Sequence, residues 1–245
     1  MKLVVEMNVL HKKSRKSYGT RRMSQKLKYM GYKVGRFLVR RLMKEHGIEC
    51  KQRRRYKVTT KSAHTLPVAE NKLNRNFSVS APNKVWVADI TYLWTLEGWL
   101  YIAAVVDLYS RRVVGWAAAE HMRSELISDA LRMAVFRRDP VAGLMHHSDR
   151  GSQYVGSDYQ SLLKKWGIEV SMSRKGNCWD NAVMERFFGS LKSEWTYDER
   201  YLTRVQAKDD VVDYIEMFYN SDRLHSTLGY ASPAEFETQT TGSFS

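Results

Sequence analysis

The amino-acid sequence predicts an α/β fold, a mixed sheet flanked by helices, preceded by a small, strongly basic all-α domain. Three observations carry this expectation. Charge divides the chain: residues 1–62 hold 20 Lys+Arg against 3 Asp+Glu, a net +17, while the remaining 183 residues carry a net −3. From about residue 84, strand-like and helix-like patterns follow in the order βββαβαβα, which gives a mixed sheet covered by helices. The length of 245 residues with 43% hydrophobic side chains suffices for one large core and a smaller domain.

The basic quarter comes first. MKLVVEMNVLHKK has an apolar run too short for a signal sequence, and no run of 18 apolar residues exists anywhere. In SYGTRRMSQKLKYMGYKVGRFLVRRLMKEHG, residues 17–47, two short helical patterns flank a turn broken by Gly31 and Gly35. The second pattern spaces Arg36, Arg40 and Lys44 four apart, away from Leu38 and Leu42. A basic helix after a Gly-containing turn is compatible with a helix-turn-helix. Such a charge asymmetry favours a polyanion, nucleic acid above a membrane surface. Residues 50–84, basic then polar with Pro67 and Pro82, read as a linker able to touch phosphates through Arg53, Arg54 and Arg55. The expected division is therefore a DNA-binding domain over 1–55, a linker over 56–83, a core with a helical extension over 84–237, and a tail over 238–245.

The larger region opens with KVWVADITYLW, apolar on both alternating faces and hence a buried strand. Gly98 turns the chain into a second strand, WLYIAAVVDLYS, and RRVVGWAAAE makes a third, so an antiparallel meander is expected. SELISDALRMAVFRR, residues 124–138, is an amphipathic helix. GLMHHSD is a short strand able to return beside the first. A helix ending at Gly167 and the strand IEVSMS follow. NAVMERFFGSLKSEW, residues 181–195, is a helix with Met184, Phe187, Phe188, Leu191 and Trp195 on one stripe.

Chemistry centres on carboxylates. Asp89 lies mid-strand among apolar residues, where an ionised group needs a cation or hydrogen bonds. Asp149 ends a strand in HHSDRGSQY, and Glu185 lies at the margin of the apolar stripe, with 35 residues between them. Three convergent carboxylates suit hard divalent cations and in-line phosphoryl displacement. Asp107 competes, but an Asp before LYSRR reads better as a turn initiator. Asp180 reads as a helix-capping or first-turn acid. His146 and His147, as neighbours on a strand, point to opposite faces, so at most one can reach a shared site. Ser148 lacks a nucleophile elbow. Cys50 and Cys178 are the only cysteines, so a disulfide framework is not expected, and His46 with Cys50 lacks a second zinc-ligand pair.

Taken together, VWVADITYL, AAVVDLYSRRVVGW, HHSDRGSQY, SRKGNCWDNAVMERFFGSLK and YNSDRLHSTLGYASPAEFE resemble the integrase-core transposases of bacterial insertion sequences, in particular the second-frame product of insertion sequence family three. The resemblance runs from about Tyr18 to Phe236. Its most specific element is the Asp, Asp, 35-residue gap, Glu pattern followed by Lys192 seven residues on. It implies an RNase H-like core preceded by a helix-turn-helix-like domain. It implies Asp89, Asp149 and Glu185 as catalytic ligands of two magnesium ions, with manganese able to substitute, and Lys192 on transposon-end DNA. Arg36, Arg40, Arg41 and Lys44 are the expected DNA contacts of the basic helix. DNA ends and target are the expected partners of a multimer, together with an upstream first-frame product, in the cytoplasm at the nucleoid. Leu224 stands where this family often has Pro. The expected activity is Mg-dependent strand cleavage and strand transfer in transposition. The rivals are a non-catalytic DNA-binding regulator and an RNase H-type nuclease.

Overall fold

A computed structural model describes residues 2–51, 68–174 and 177–241. The chain divides into two compact units. One comprises Met1–Tyr56, Ser190–Glu199 and Asp213–Ser245; the other comprises Lys57–Gly189 and Arg200–Val212.

The second unit holds the sheet. Strands β1 (Val85–Thr95), β2 (Gly98–Asp107), β3 (Val113–Ala119), β4 (Met145–Ser148) and β5 (Glu169–Met172) lie in the order β3-β2-β1-β4-β5. The β1–β2–β3 meander is antiparallel, as the short turns require. Gly98 adopts φ 106°, which a side chain would strain. β4 then pairs parallel to β1, and β5 parallel to β4. Parallel pairing needs long crossovers, and α4 (Ser124–Arg138) and α6 (Ser157–Lys165) supply them, with the one-turn α5 (Ser152–Val155) between.

One face of the sheet carries Trp86, Ala88, Ala103 and Val105, packed with Leu126, Leu131, Tyr154, Tyr159 and Leu163 from the helices. The alternate residues Val87, Ile102, Ala104 and Val106 are also fully buried. Burial on both faces explains why these strands are apolar throughout rather than alternating. β3 and α4 approach most closely at Gly115, where an added Cβ would lie 2.2 Å from the Ala130 carbonyl oxygen.

The segment expected as a linker, 56–83, is described only in part, and that part is bound to the sheet edge. The Ser171 hydroxyl accepts from the Lys72 and Leu73 amides, and the Glu70 carbonyl accepts from the Met172 amide. Leu73 is buried. Edge strands expose unpaired backbone groups, and this segment covers β5's. Arg53, Arg54 and Arg55 lie outside the described residues.

The first unit begins with α1 (Lys2–Lys13), a helix not anticipated from MKLVVEMNVLHKK, whose Met7 and Leu10 are buried. α2 (Thr20–Tyr29) and α3 (Arg36–Glu45) match the two expected helical patterns. Gly31 takes φ 88° after α2, while Gly35 precedes α3 with φ −95°. α3 buries Val39 and Met43. Leu38 and Leu42, which the four-residue spacing had suggested as the apolar face, sit half-buried at its margin.

The helix expected over NAVMERFFGSLKSEW is α7 (Ala182–Leu191), continued by a π-helical stretch, Lys192–Thr196. Met184, Phe187, Phe188, Leu191 and Trp195 are all buried, as their spacing predicts. Within the first unit, Glu194 is buried and paired to Arg223 and to Arg22. Those guanidinium groups hold its carboxyl down at about 2 against the opposing effect of burial. Leu224 also has a physical role: its amide donates to the Tyr18 hydroxyl at 2.9 Å, which a proline could not do. α8 (Arg204–Val212) belongs to the sheet unit, and α9 (Pro233–Thr241) to the first unit.

Gly115→Ala is expected to cost about 3 kcal/mol or more, because backbone atoms rather than a flexible side chain block the methyl group. Urea denaturation monitored by circular dichroism checks it; an unchanged midpoint would show that β3 and α4 separate at little cost.

Candidate functional site

The parallel pairing of β1 with β4 matches Val85 with Met145, Trp86 with His146 and Val87 with His147. Continuing that register by two residues sets Asp149 level with Asp89. Both then share the face of Val87 and His147, because side chains alternate along strands. Asp89 is half-buried, paired across the antiparallel ladder with Ala104, and its Oδ1 accepts from the Ile90 amide at 2.8 Å. Asp149 lies just past β4, and its Oδ1 accepts from the Gly151 amide at 2.8 Å. The Arg150 guanidinium donates to the Ser173 carbonyl at 2.6 Å, which ties this turn to the end of β5.

Tyr154 lies within electrostatic reach of both acids. Its buried hydroxyl is held in the protonated form well above the ordinary tyrosine range, first by burial and then by the negative charges of Asp89 and Asp149.

The start of α7 is brought to the same face by a polar turn, Cys178–Asn181. The Asn181 side-chain amide donates to the carbonyl of Ala88, the residue before Asp89, at 3.1 Å. Asp180 is fully buried and accepts from Arg174 (backbone and side chain), Arg75 and Asn71. These donors, Arg174 foremost, hold its carboxyl far below the usual carboxylate range. Asp180 is thus a buried anchor rather than a simple helix cap. Glu185 follows Asn181 by four residues, one helical turn, and its side chain is exposed. Among the described residues, no three His, Cys, Asp or Glu side chains gather into a metal-holding group, so Asp89, Asp149 and Glu185 are not gathered as a set of three.

The other candidates sort clearly. Asp107 is buried and accepts from the amides of Asn83 (2.7 Å) and Tyr109 (2.8 Å), with Arg138 beside it. It therefore initiates the turn, as its place before LYSRR suggested. His146 and His147 face opposite ways: His146 meets the Tyr159 hydroxyl at 3.0 Å, and His147 meets the Ser171 and Ser173 hydroxyls. Both are buried, and burial drives their pKa down, His146's to about 3 and His147's to about 4. Neutral, enclosed imidazoles of this kind are packing elements.

In the first unit, Arg36, Arg40, Arg41 and Lys44 are all exposed along α3. Phe37, 85% exposed, falls between Lys44 and Arg41 around that helix at about 100° per residue. The four-residue spacing of the cations drew attention away from it. Lys192, half-buried, begins the π-helical stretch. Asn181 and Tyr154 were also not singled out from the sequence. Tyr154 carries a detectable signal, an aromatic residue five positions after Asp149 in HHSDRGSQY, but only the fold shows what it faces.

Residues 79–178 match an integrase core domain, residues 185–241 match a second integrase core domain description, and residues 1–56 match an HTH-like domain. The first match contains Asp89 and Asp149, and the second contains Glu185 and Lys192. The insertion element IS600 uncharacterized 31 kDa protein of Shigella sonnei is 49% identical over 235 residues, covering 96% of this chain and 86% of that protein. Transposase InsF for insertion sequence IS3A of Escherichia coli (strain K12) is 42% identical over 227 residues, covering 93% and 79%. Among solved structures, the simian T-cell lymphotropic virus intasome in complex with PP2A regulatory subunit B56 gamma gives a TM-score of 0.55 at 14% identity, over 94% of this chain and 74% of that one. The HTLV-2 integrase catalytic core domain in complex with magnesium (trimeric form) gives 0.50 at 16% identity, over 64% and 97%. At those identities the structural likeness establishes the fold, an integrase-type mixed sheet.

The buried His146 predicts acid sensitivity. Its folded pKa, about 3, lies below the unfolded value of 6.5, so the unfolded chain binds the proton first. Its contribution to stability is complete above pH 6.5 and is lost as pH falls toward 3. That loss is expected to reach about 3 kcal/mol near pH 4.5. Denaturation curves across that range should be flatter in His146→Gln than in the wild type; parallel curves would place the proton elsewhere.

Proposed function

The chain belongs to the integrase-core transposases of insertion sequences, and we propose that it cuts and rejoins DNA strands by phosphoryl transfer at Asp89, Asp149 and Glu185. The observation that supports this best is the placement of Asp89 and Asp149 on one face at the ends of paired parallel strands, with the start of α7 anchored beside them. Ligands in open α/β sheets bind outside the carboxyl ends of the strands.

The donor set is all oxygen, which suits a hard divalent cation, magnesium or manganese. A buried hydroxyl without a hydrogen-bond partner, that of Tyr154, sits in the field of two of these acids and offers a further polar group there. Asp89, Asp149 and Glu185 would hold the cations. When bound, such cations polarise the attacking and leaving oxygens of an in-line displacement.

The remaining work falls to the chain. Asp89 and Asp149 hold negative charge at a place set by strand register, so little reorganisation is needed on binding. Asn181 fixes the approach of α7 to β1, and Glu185 lies one turn beyond on an exposed surface able to meet DNA. In the first step, water oxygen bonds to phosphorus as the bond to the 3′ oxygen of the transposon end breaks, and that oxygen takes up a proton. In the second, the freed 3′ hydroxyl attacks another phosphodiester and releases that strand's own 3′ oxygen. The same acids serve both steps, because each needs nucleophile and leaving group in line. Lys192 is assigned to the DNA backbone.

The exposed cations of α3 neutralise DNA phosphates, and the helix lies in the HTH-like region. Phe37 in their midst offers an apolar surface to base edges, thymine methyl groups above all. A multimer that synapses two DNA ends is part of this proposal.

With Mg2+ and oligonucleotides carrying the element's terminal repeat, purified protein is expected to form strand-transfer products. Asp89→Asn, Asp149→Asn and Glu185→Gln should each lower them by at least about a hundredfold without reducing DNA binding. Cleavage without joining would point to a nuclease instead, and binding without turnover to a regulator. Separately, Arg36→Ala, Arg40→Ala and Lys44→Ala should each weaken DNA binding and reduce the slope of log K against log[salt] by about 1. Unchanged slopes would remove α3 from the DNA interface.

A further inference from the structure

We propose that Tyr154 is a positioning residue of the carboxylate site, its hydroxyl hydrogen-bonding to the coordination sphere of a divalent cation held by Asp89 and Asp149. This rests on the metal-binding reading of those two acids.

Tyr154 is 2% exposed, and its hydroxyl has no hydrogen-bond partner. Buried tyrosine hydroxyls normally find one. Everything else about the residue is held in place. Its amide donates to the Gly151 carbonyl at 2.9 Å, and its carbonyl accepts from the Gln160 side chain at 2.6 Å. Its ring packs against Tyr159 and His146, with centroids 5.6 Å and 6.3 Å away. An ideally placed Cβ on Gly151 would stand 3.0 Å from Asp149 Oδ1, 3.0 Å from Gln153 Oε1 and 3.6 Å from Tyr154 Cδ2. The carboxylate, the Gln153 side-chain oxygen and the ring edge therefore flank one glycine, which keeps Tyr154 close to Asp149. The hydroxyl also lies within the electrostatic reach of both Asp89 and Asp149.

The ring alone explains the hydrophobic packing, because phenylalanine would fill the same space. The hydroxyl is what packing leaves without a purpose. A buried donor with no partner, within electrostatic reach of two carboxylates, can serve a group that enters with a cation. It bonds to a carboxylate oxygen, or to a water, once a cation has fixed their positions. Groups that orient metal ligands in this way commonly change metal affinity by 10–100-fold.

Tyr154→Phe separates the two roles. Mn2+ binding to the full-length protein is measured by calorimetry, and thermal denaturation is measured with and without Mn2+. The variant is expected to bind Mn2+ about tenfold more weakly. Its melting temperature without metal should equal or exceed that of the wild type, because a buried, unpartnered hydroxyl has been removed. Equal Mn2+ affinity in both proteins would overturn the proposal. A clear loss of metal-free stability would do so too, since the hydroxyl would then serve a partner within the protein. Asp149→Asn supplies the separate control. If the wild type binds no Mn2+, or if Asp149→Asn binds it as tightly as the wild type, the metal-binding reading fails first, and this proposal fails with it.

Discussion

The candidate site depends on one backbone constraint, the parallel pairing of β4 against β1. Three pairs, ending at Val87 and His147, set a register that carries Asp149 to the level of Asp89. A slip of one residue would move Asp149 to the opposite face, into the apolar core around Trp86 and Ala88. The pairing is itself a consequence of burial. Both strands are apolar on two faces, and a parallel return requires the crossover that α4 provides. Gly115 lets α4 lie close enough to β3 for that crossover to pack. A steric detail at the far side of the sheet is thereby linked to where two carboxylates meet.

A second constraint is electrostatic. Asp180 is fully buried, which an isolated charge could not sustain, but Arg75, Arg174 and Asn71 surround it with donors. The turn that carries it also carries Asn181, whose amide reaches the Ala88 carbonyl. Breaking one partner of such a cluster is costly, so the start of α7 is closely determined. His147, enclosed by Ser171 and Ser173 beneath this turn, stays neutral and avoids adding a competing charge. The polar groups near the site thus divide into those that build it and those that remain for chemistry. In the first unit the same principle recurs: Glu194, Arg22 and Arg223 neutralise one another inside, while the cations of α3 stay outside.

Much of this was legible in the residues. Apolar alternation and turn signals marked five strands, and heptad-like spacing in NAVMERFFGSLKSEW marked a helix whose stripe is buried throughout. Asp107 could be assigned to a turn because its neighbours are turn-forming. Other features were not legible. α1 was hidden because an apolar run of that length has no decisive period. The expected linker proved partly bound to β5 because edge pairing uses backbone groups, which leave little trace in composition. Asp180 looked like a cap because two of the partners that bury it, Arg75 and Asn71, lie 105 and 109 residues away.

By itself, the sequence determined which residue types were present, in what local periodicity, and therefore the number and order of the strands, the helices between and after them, the division of charge, and the three acids worth attention. Tertiary structure alone decided how those acids are placed. Register joins Asp89 to Asp149, whereas the exposed Glu185 has no such backbone tie. It also decided that the Tyr154 hydroxyl would be buried without a hydrogen-bond partner. The physical reason is common to all of these. Local pattern follows from the geometry of a single helix or strand, but proximity between distant residues is set by pairing and packing across the whole fold.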